Sequence, residues 1–310
     1  MMSGLTSFHR HMTANQTVFP AAAGAAMNAH AIIEVTGPDA ASFLQGQLSS
    51  DVNALAAGGA QLAGYHSPKG RVLAFLRVLR RPVEAPAFLL VVDRPIVDAV
   101  LQRLRMFVLR SKVNIERRDD LAARALIGEK IPQLLKESGL PVPPQGSAAG
   151  WNDCVVFALP ASPVPRVEIV APAASMPALD VAAADDDALA RWDILCRLPR
   201  ILPEIQDAHV AQHLGLDELD GISFRKGCYT GQEIIARMKY LGRVKKRPAI
   251  FVTAAAAPGD VIRDENGQAA GEVVNVAPLD EETLILAVAN LDSEDRTLAI
   301  DGSPLRRLPS

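Results

Sequence analysis

Two glycines four residues apart, Gly227 and Gly231, bracket a cysteine and a tyrosine in Lys226-Gly227-Cys228-Tyr229-Thr230-Gly231-Gln232-Glu233. Glycine lets a backbone take positive φ or approach a ligand closely. Ile234, Ile235 and Met238 follow at helical spacing, so a helix is expected to begin near Gly231. Its first N–H groups have no intrahelical acceptor and point back at the loop, a ready anion site. Cys228 therefore stands just ahead of a helix start, with Lys226 two residues away. Both features favour thiolate over thiol. The competing reading is a tight loop whose cysteine is a small buried hydrophobe. Cys154 and Cys196 lack such surroundings and read as core residues.

Gln232, Glu233 and Arg237 open the expected helix. Glu233 and Arg237 sit four positions apart, and an intrahelical ion pair worth roughly 0.2–0.5 kcal/mol is one account of them. The other is that Gln232 or Glu233 hydrogen-bonds the edge of a heterocycle, which presents paired donors and acceptors. Beyond the helix, Lys239, Arg243, Lys245, Lys246 and Arg247 form a basic run. Such a run is a solvated face, or a contact for an anion or RNA. His209 and His213 have i, i+4 spacing without an obvious third ligand, and they read as surface or capping residues. No G-x-G-x-x-G, G-x-x-x-x-G-K-[ST], H-E-x-x-H or G-x-S-x-G occurs. Most simple dehydrogenase, zinc and hydrolase readings fall away with them.

The elements that must position this segment belong to a chain of 310 residues, 49% apolar and 22% charged, with net charge −3. That is ordinary globular composition, long enough for about two domains. It carries no global electrostatic footprint for nucleic acid or an anionic membrane. The three cysteines are widely spaced and form no C-x-x-C, so no four-thiolate metal site and no disulfide framework is expected. Sparse cysteine suggests a reducing, cytoplasmic compartment. No apolar run reaches transmembrane length, and no membrane partner is expected.

Residues 1–30 read as a mobile lead-in with an Ala-rich piece. A strand is expected over 31–35, then a helix over 40–47 with Asp39 as its N-cap,. Residues 60–65 and 71–79 form a hairpin around the polar turn His66-Ser67-Pro68-Lys69-Gly70, and 88–92 and 113–116 are further strands,. Residues 95–107 have helical spacing,. Pro- and Ala-rich stretches at 141–149 and 171–184 read as loops, and Asp185-Asp186-Asp187 caps a helix over 188–196,. From Lys245 the texture changes to short strands over 248–253, 270–276 and 283–288 with Asn266-Gly267 as a hairpin turn,. This indicates α+β architecture followed by a small β-barrel or sandwich.

The octapeptide at 226–233 resembles the signature of the YgfZ family, K-G-C-[YF]-x-G-Q-E. That family is related to the folate-dependent aminomethyltransferase (T-protein) of the glycine cleavage system. Three more stretches agree: Phe43-Leu44-Gln45-Gly46-Gln47-Leu48-Ser49-Ser50-Asp51-Val52, Ser67-Pro68-Lys69-Gly70-Arg71-Val72-Leu73-Ala74, and Leu109-Arg110-Ser111-Lys112-Val113. Departures occur at Ala211-Gln212 and Gly215, and around Arg197 to Pro203. The resemblance implies a T-protein-like fold: intertwined α+β folate-binding domains over 31–244 and a C-terminal β-barrel over 245–310. It implies tetrahydrofolate or a one-carbon derivative as cofactor. Cys228 is then the functional thiol and Lys226 its neighbour, with folate contacts at Gln47, Asp51, Lys69, Arg71, Tyr229, Gln232, Glu233 and Arg237. A pterin needs stacking, for which Tyr229 is a candidate, and its glutamate tail needs a cation such as Lys69, Arg71 or Arg237. T-protein carries a catalytic Asp pair where this chain has Ala74 and Phe75, so the carboxylate that would act on the amine is missing.

Three functions are compatible with these features. The first is a folate-binding accessory protein for assembly or repair of iron–sulfur enzymes, including tRNA-modifying ones. The second is a folate-dependent one-carbon transferase acting on another donor. The third is direct tRNA contact through Lys239 to Arg247, against which the negative net charge weighs.

Overall fold

The computed structural model describes residues 19–160, 162–293 and 296–309. Three sheets carry the described residues. The first has five strands in the order Ala60–His66, Val72–Arg80, Ala87–Asp93, His30–Thr36 and Asn114–Arg117, all antiparallel. Three of these strands are buried on nearly every residue, because helices and a second sheet cover both faces,. Helices α1 (Ala40–Gln47) and α2 (Val97–Met106) turn Phe43, Leu44, Val97, Val100 and Leu104 inward, as their spacing requires.

The second sheet has six strands: Ala182–Ala183, Ala23–Ala26, Leu121–Ile127, Arg166–Pro172, Cys154–Ala158 and Ala148–Trp151. It corrects two expectations. Ala23–Ala26 is a strand paired on both sides rather than part of a mobile lead-in, and residues 1–18 lie outside the described residues. Within the expected loops, Ala148–Trp151 and Ala182–Ala183 are sheet edges. Small residues there are needed where strands approach closely; a Cβ on Gly24 would meet Leu126 at 2.9 Å. Helix α3 (Ile131–Glu137) packs on this sheet. Helix α4 (Asp186–Leu195) begins with Asp185, whose Oδ1 accepts from Ala188 N at 2.8 Å. Asp39 stands at the N-cap of α1, as expected, but its side chain makes no capping hydrogen bond; its Oδ2 accepts from Lys112 N instead and ties in the 109–113 stretch.

Between these two sheets lies a buried ionic layer that local sequence patterns do not reveal. Arg77 donates twice to Glu168, each at 3.0 Å. Arg166 reaches Glu168 and Asp193, and Arg200 Nε meets Asp93 at 3.0 Å. Burial pushes the Glu168 carboxyl up, but Arg77 and Arg166 outweigh it and hold the group below its ordinary range. Burial and the surrounding guanidiniums push His30 well down, so it is neutral.

The third sheet runs Ser303–Pro304, Leu298–Ile300, Val261–Asp264, Ala269–Leu279, Glu282–Asn290, Lys246–Thr253 and Arg306–Arg307. Its two edge strands are separated in sequence by Leu305 alone. The sheet must therefore curl until its edges nearly meet, a nearly closed barrel. Asn275 fastens it to the rest: its Oδ1 accepts from Arg200 N and its Nδ2 donates to Arg200 O, both at 2.8 Å. Among the described residues no helix is long and apolar enough to cross a membrane.

Candidate functional site

Three of the four matched stretches, up to about 180 residues apart, meet at one junction. Helix α1 ends at Gln47, and Leu48 leaves it extended to bridge Tyr65. The Gln45 side chain organises residues 51–53: Oε1 accepts from Val52 N at 2.8 Å and Nε2 donates to Asp51 at 3.0 Å. Lys226 crosses from the octapeptide and donates to Gln45 O at 2.5 Å and Leu48 O at 2.6 Å. Those are carbonyls at a helix C-terminus, where a cation is favoured. Burial pulls the Lys226 ammonium down to about 8, against a weaker upward pull from Asp51.

Helix α5 (Gln232–Tyr240) starts after Gly231 as the sequence leads one to expect. Gly231 takes φ +82, and a Cβ there would stand 2.5 Å from Ser67 O; Gly70, at φ +69, faces it across the hairpin turn. The octapeptide and the 67–71 turn can close on each other only as glycines. Gly227 is different: nothing lies within 4 Å of where its Cβ would be. Gln212 is buried and donates to Ile235 O at 2.7 Å, which fixes α5 from behind.

Inside the junction, the Lys226 Nζ lies 5.0 Å from the centroid of the Tyr229 ring, and the His66 ring is 6.1 Å away on a tilt. Burial pushes the Tyr229 hydroxyl up to about 12 and the His66 imidazole down to about 3. Tyr65 is also pushed up to about 12 by burial, against the pull of Arg103, whose guanidinium stacks between the Tyr65 and Phe107 rings at 5.8 and 5.4 Å. Among the described residues, Gln47 Oε1, the Tyr65 hydroxyl and both His66 ring nitrogens are buried without a well-formed hydrogen bond. Buried polar atoms are ordinarily paired, so such a group of spare donors and acceptors calls for a ligand or water.

The expected site residues thus divide. Gln47, Asp51, Lys226 and Tyr229 line or support the junction, while Lys69, Arg71, Glu233 and Arg237 are exposed around it and Gln232 is half-buried at the helix start. Arg71 Nη1 is committed to Asp207 O and Ala208 O. No ion pair joins Glu233 to Arg237 among the described residues, so both charges face solvent. Two expectations change. Lys226 makes no hydrogen bond with Cys228, because its ammonium is directed inward onto α1, whereas Cys228 is exposed. His209 is buried, not a surface residue, and sits 3.4 Å from Glu272 with the His213 ring 6.5 Å away. Tyr65, His66 and Arg103 carry no local motif that would single them out. Tyr65 and His66 alternate on a strand beside a matched turn, a signal that only the hairpin's geometry makes meaningful. Ala74 and Phe75 are buried apolar residues, so no carboxylate stands at either position.

No protein-family model matches the chain. It is 30% identical over 275 residues to the tRNA-modifying protein YgfZ of Yersinia pestis (strain Pestoides F), covering 84% of this chain and 82% of that one. It is 27% identical over 289 residues to the protein of that name from Colwellia psychrerythraea, covering 90% and 86%. An uncharacterized protein of Haemophilus influenzae is 32% identical over 236 residues, 71% of this chain and 70% of that one. Among solved structures, the glycine cleavage system aminomethyltransferase T from Bartonella henselae superposes with a TM-score of 0.71 at 17% identity, covering 93% of this chain and 85% of that one. The chain has that T-protein-like fold.

Proposed function

The chain belongs to the YgfZ family, and from that premise we propose that it is a cytoplasmic tetrahydrofolate-binding accessory protein that supports assembly or repair of iron–sulfur enzymes, tRNA-modifying ones among them. The observation that carries the reading is the junction itself: three family stretches meet there, and Gln47, Tyr65 and His66 in or beside them each carry a buried polar atom without a hydrogen-bond partner.

A folate suits those groups in kind. Its pterin carries N–H donors and ring acceptors, which match the Gln47 carbonyl, the Tyr65 hydroxyl and the neutral His66 ring,. Lys226 holds the octapeptide on α1 and occupies one side of Tyr229. Tyr229 therefore serves as a wall rather than a free stacking platform. Arg237 and Lys69, exposed at the rim, take the anionic tail,. A bound one-carbon derivative of tetrahydrofolate would supply a one-carbon unit, and tetrahydrofolate itself would accept one. Cys228 then acts on a client rather than on groups inside the junction, a reading its exposure beside the open side of Gly227 supports.

The alternative of an aminomethyl transferase is less well supported, because Ala74 and Phe75 leave no general base where T-protein has its Asp pair,. The test is complementation of a strain lacking its own homologue, read out as activity of an iron–sulfur tRNA-modifying enzyme. Wild type is expected to rescue and Cys228→Ala to fail. Full rescue by the alanine variant reduces Cys228 to a bystander, and no rescue by wild type overturns the accessory role.

A further inference from the structure

Past α5, a basic and aromatic surface has no part in the folate junction. Tyr240 is 67% exposed and Leu241 84% exposed. The Tyr240 ring is braced edge-on by Phe224, centroids 6.1 Å apart at 77°, and Lys239 Nζ stands 5.2 Å from the Phe224 ring. Three residues on, a cavity of about 410 Å³ opens between 243–246 and 290–292. Its floor is the end of the barrel ladder: Lys246 pairs with Asn290, and Leu291 N donates to Lys245 O at 2.9 Å. Arg243 and Lys245 are exposed, and among the described residues neither has a carboxylate partner. Asn290 and Asp292 line the same cavity.

We propose that this surface binds single-stranded RNA, with the sugar–phosphate backbone in the cavity between Arg243, Lys245 and Asp292 and a base on the face of Tyr240. The composition selects that ligand. Unpaired cations in the segment leading into a barrel strand suit phosphates, and an exposed, braced aromatic ring suits a base, with stacking worth about 1–3 kcal/mol per base,. A carboxylate set among cations disfavours a plain polyanion. It suits a ligand carrying hydroxyl donors beside its phosphate, and the ribose 2′-hydroxyl is the donor that DNA lacks. An acidic peptide offers neither planar base nor diol. The inference does not rest on folate binding, and the two can fail separately.

The test is fluorescence anisotropy of the full chain with a labelled, unstructured oligoribonucleotide of about a dozen nucleotides. The same sequence as DNA and a polyglutamate of similar charge serve as competitors. RNA is expected to bind, to weaken as salt rises, and to be displaced poorly by either competitor. Arg243→Glu with Lys245→Glu is expected to lower affinity at least about tenfold and flatten the salt dependence. Tyr240→Ala is expected to lower it severalfold without changing the salt slope, and Asp292→Ala to erase the preference for RNA over DNA. All four positions are exposed, so unchanged thermal melting verifies that each variant folds. Absence of binding at low salt, indifference to the charge reversal, or equal binding of DNA or polyglutamate by wild type overturns the proposal.

Discussion

Arg77 and Lys226 are both buried cations, and they are satisfied in different ways. Arg77 meets a full carboxylate, Glu168, through two hydrogen bonds, in a layer where Arg166 and Arg200 also face Asp193 and Asp93. Lys226 meets only two neutral carbonyls. The consequence is visible in their protonation: Glu168 offsets the burial of Arg77 and holds it above its ordinary value, while Lys226 is pulled down to about 8. The ionic layer is closed by charge balance and fastens two sheets together. The octapeptide junction commits the Lys226 ammonium to anchoring and leaves Gln47, Tyr65 and His66 with spare polar atoms. Unpaired buried atoms occur in both regions, since Arg166 Nε and Nη1 and both His30 ring nitrogens also lack hydrogen-bond partners; what separates the two is that each arginine of the layer faces a carboxylate, whereas Lys226 faces only carbonyls.

The largest expected effect breaks the layer. Glu168→Ala leaves Arg77 buried without its counter-charge and should cost about 3–5 kcal/mol in urea unfolding; a loss below about 1 kcal/mol would remove its structural role. Lys226→Met should cost about 1.5–3 kcal/mol by the same measurement, since it strips charged hydrogen bonds from two buried carbonyls. It should also loosen the octapeptide, read as faster amide exchange over 226–231,.

His66 gives a pH signature. Its imidazole titrates near 3 in the folded chain against an ordinary 6.5, so between those values the unfolded chain holds the extra proton. Stability should fall as pH drops through that window, by up to about 1.4 kcal/mol per pH unit from this group. His66→Phe should flatten that limb, although His209 and His213, both near 4, retain part of it. An unchanged slope would place His66 in contact with solvent.

Gln47→Ala should have the smallest effect on stability, within about 0.5 kcal/mol, because it removes an acceptor that has no partner to lose. It should weaken folate binding all the same. A variant that is stable yet poor in binding sharpens the contrast with Glu168→Ala, which should be the reverse.

Much of the fold is legible in the residues. The α1 and α5 helices, the 60–80 hairpin, the turn at Asn266-Gly267 and the barrel texture after Lys245 all arise from local periodicity and turn chemistry. The octapeptide and its three companion stretches lead to the family. The second sheet is only partly legible, because two of its strands are short and Ala-rich: Ala23–Ala26 and Ala182–Ala183 have no pattern of their own and exist only by pairing. Lys226 misleads for a related reason. In sequence it is two positions from Cys228; in space its partners are Gln45 and Leu48. Tyr65, His66 and Arg103 stay hidden because their polar atoms count for little until the fold buries them beside the octapeptide. The same long-range pairing conceals the ionic layer, whose members span 30–200.

The most direct measurement is calorimetric titration of tetrahydrofolate into the purified protein, with Gln47→Ala and Tyr65→Phe alongside. Saturable one-site binding by wild type, weakened in both variants while their unfolding midpoints hold, is the result expected of a folate junction. Folded wild-type protein that takes up no tetrahydrofolate, or binds it equally well in both variants, would contradict it.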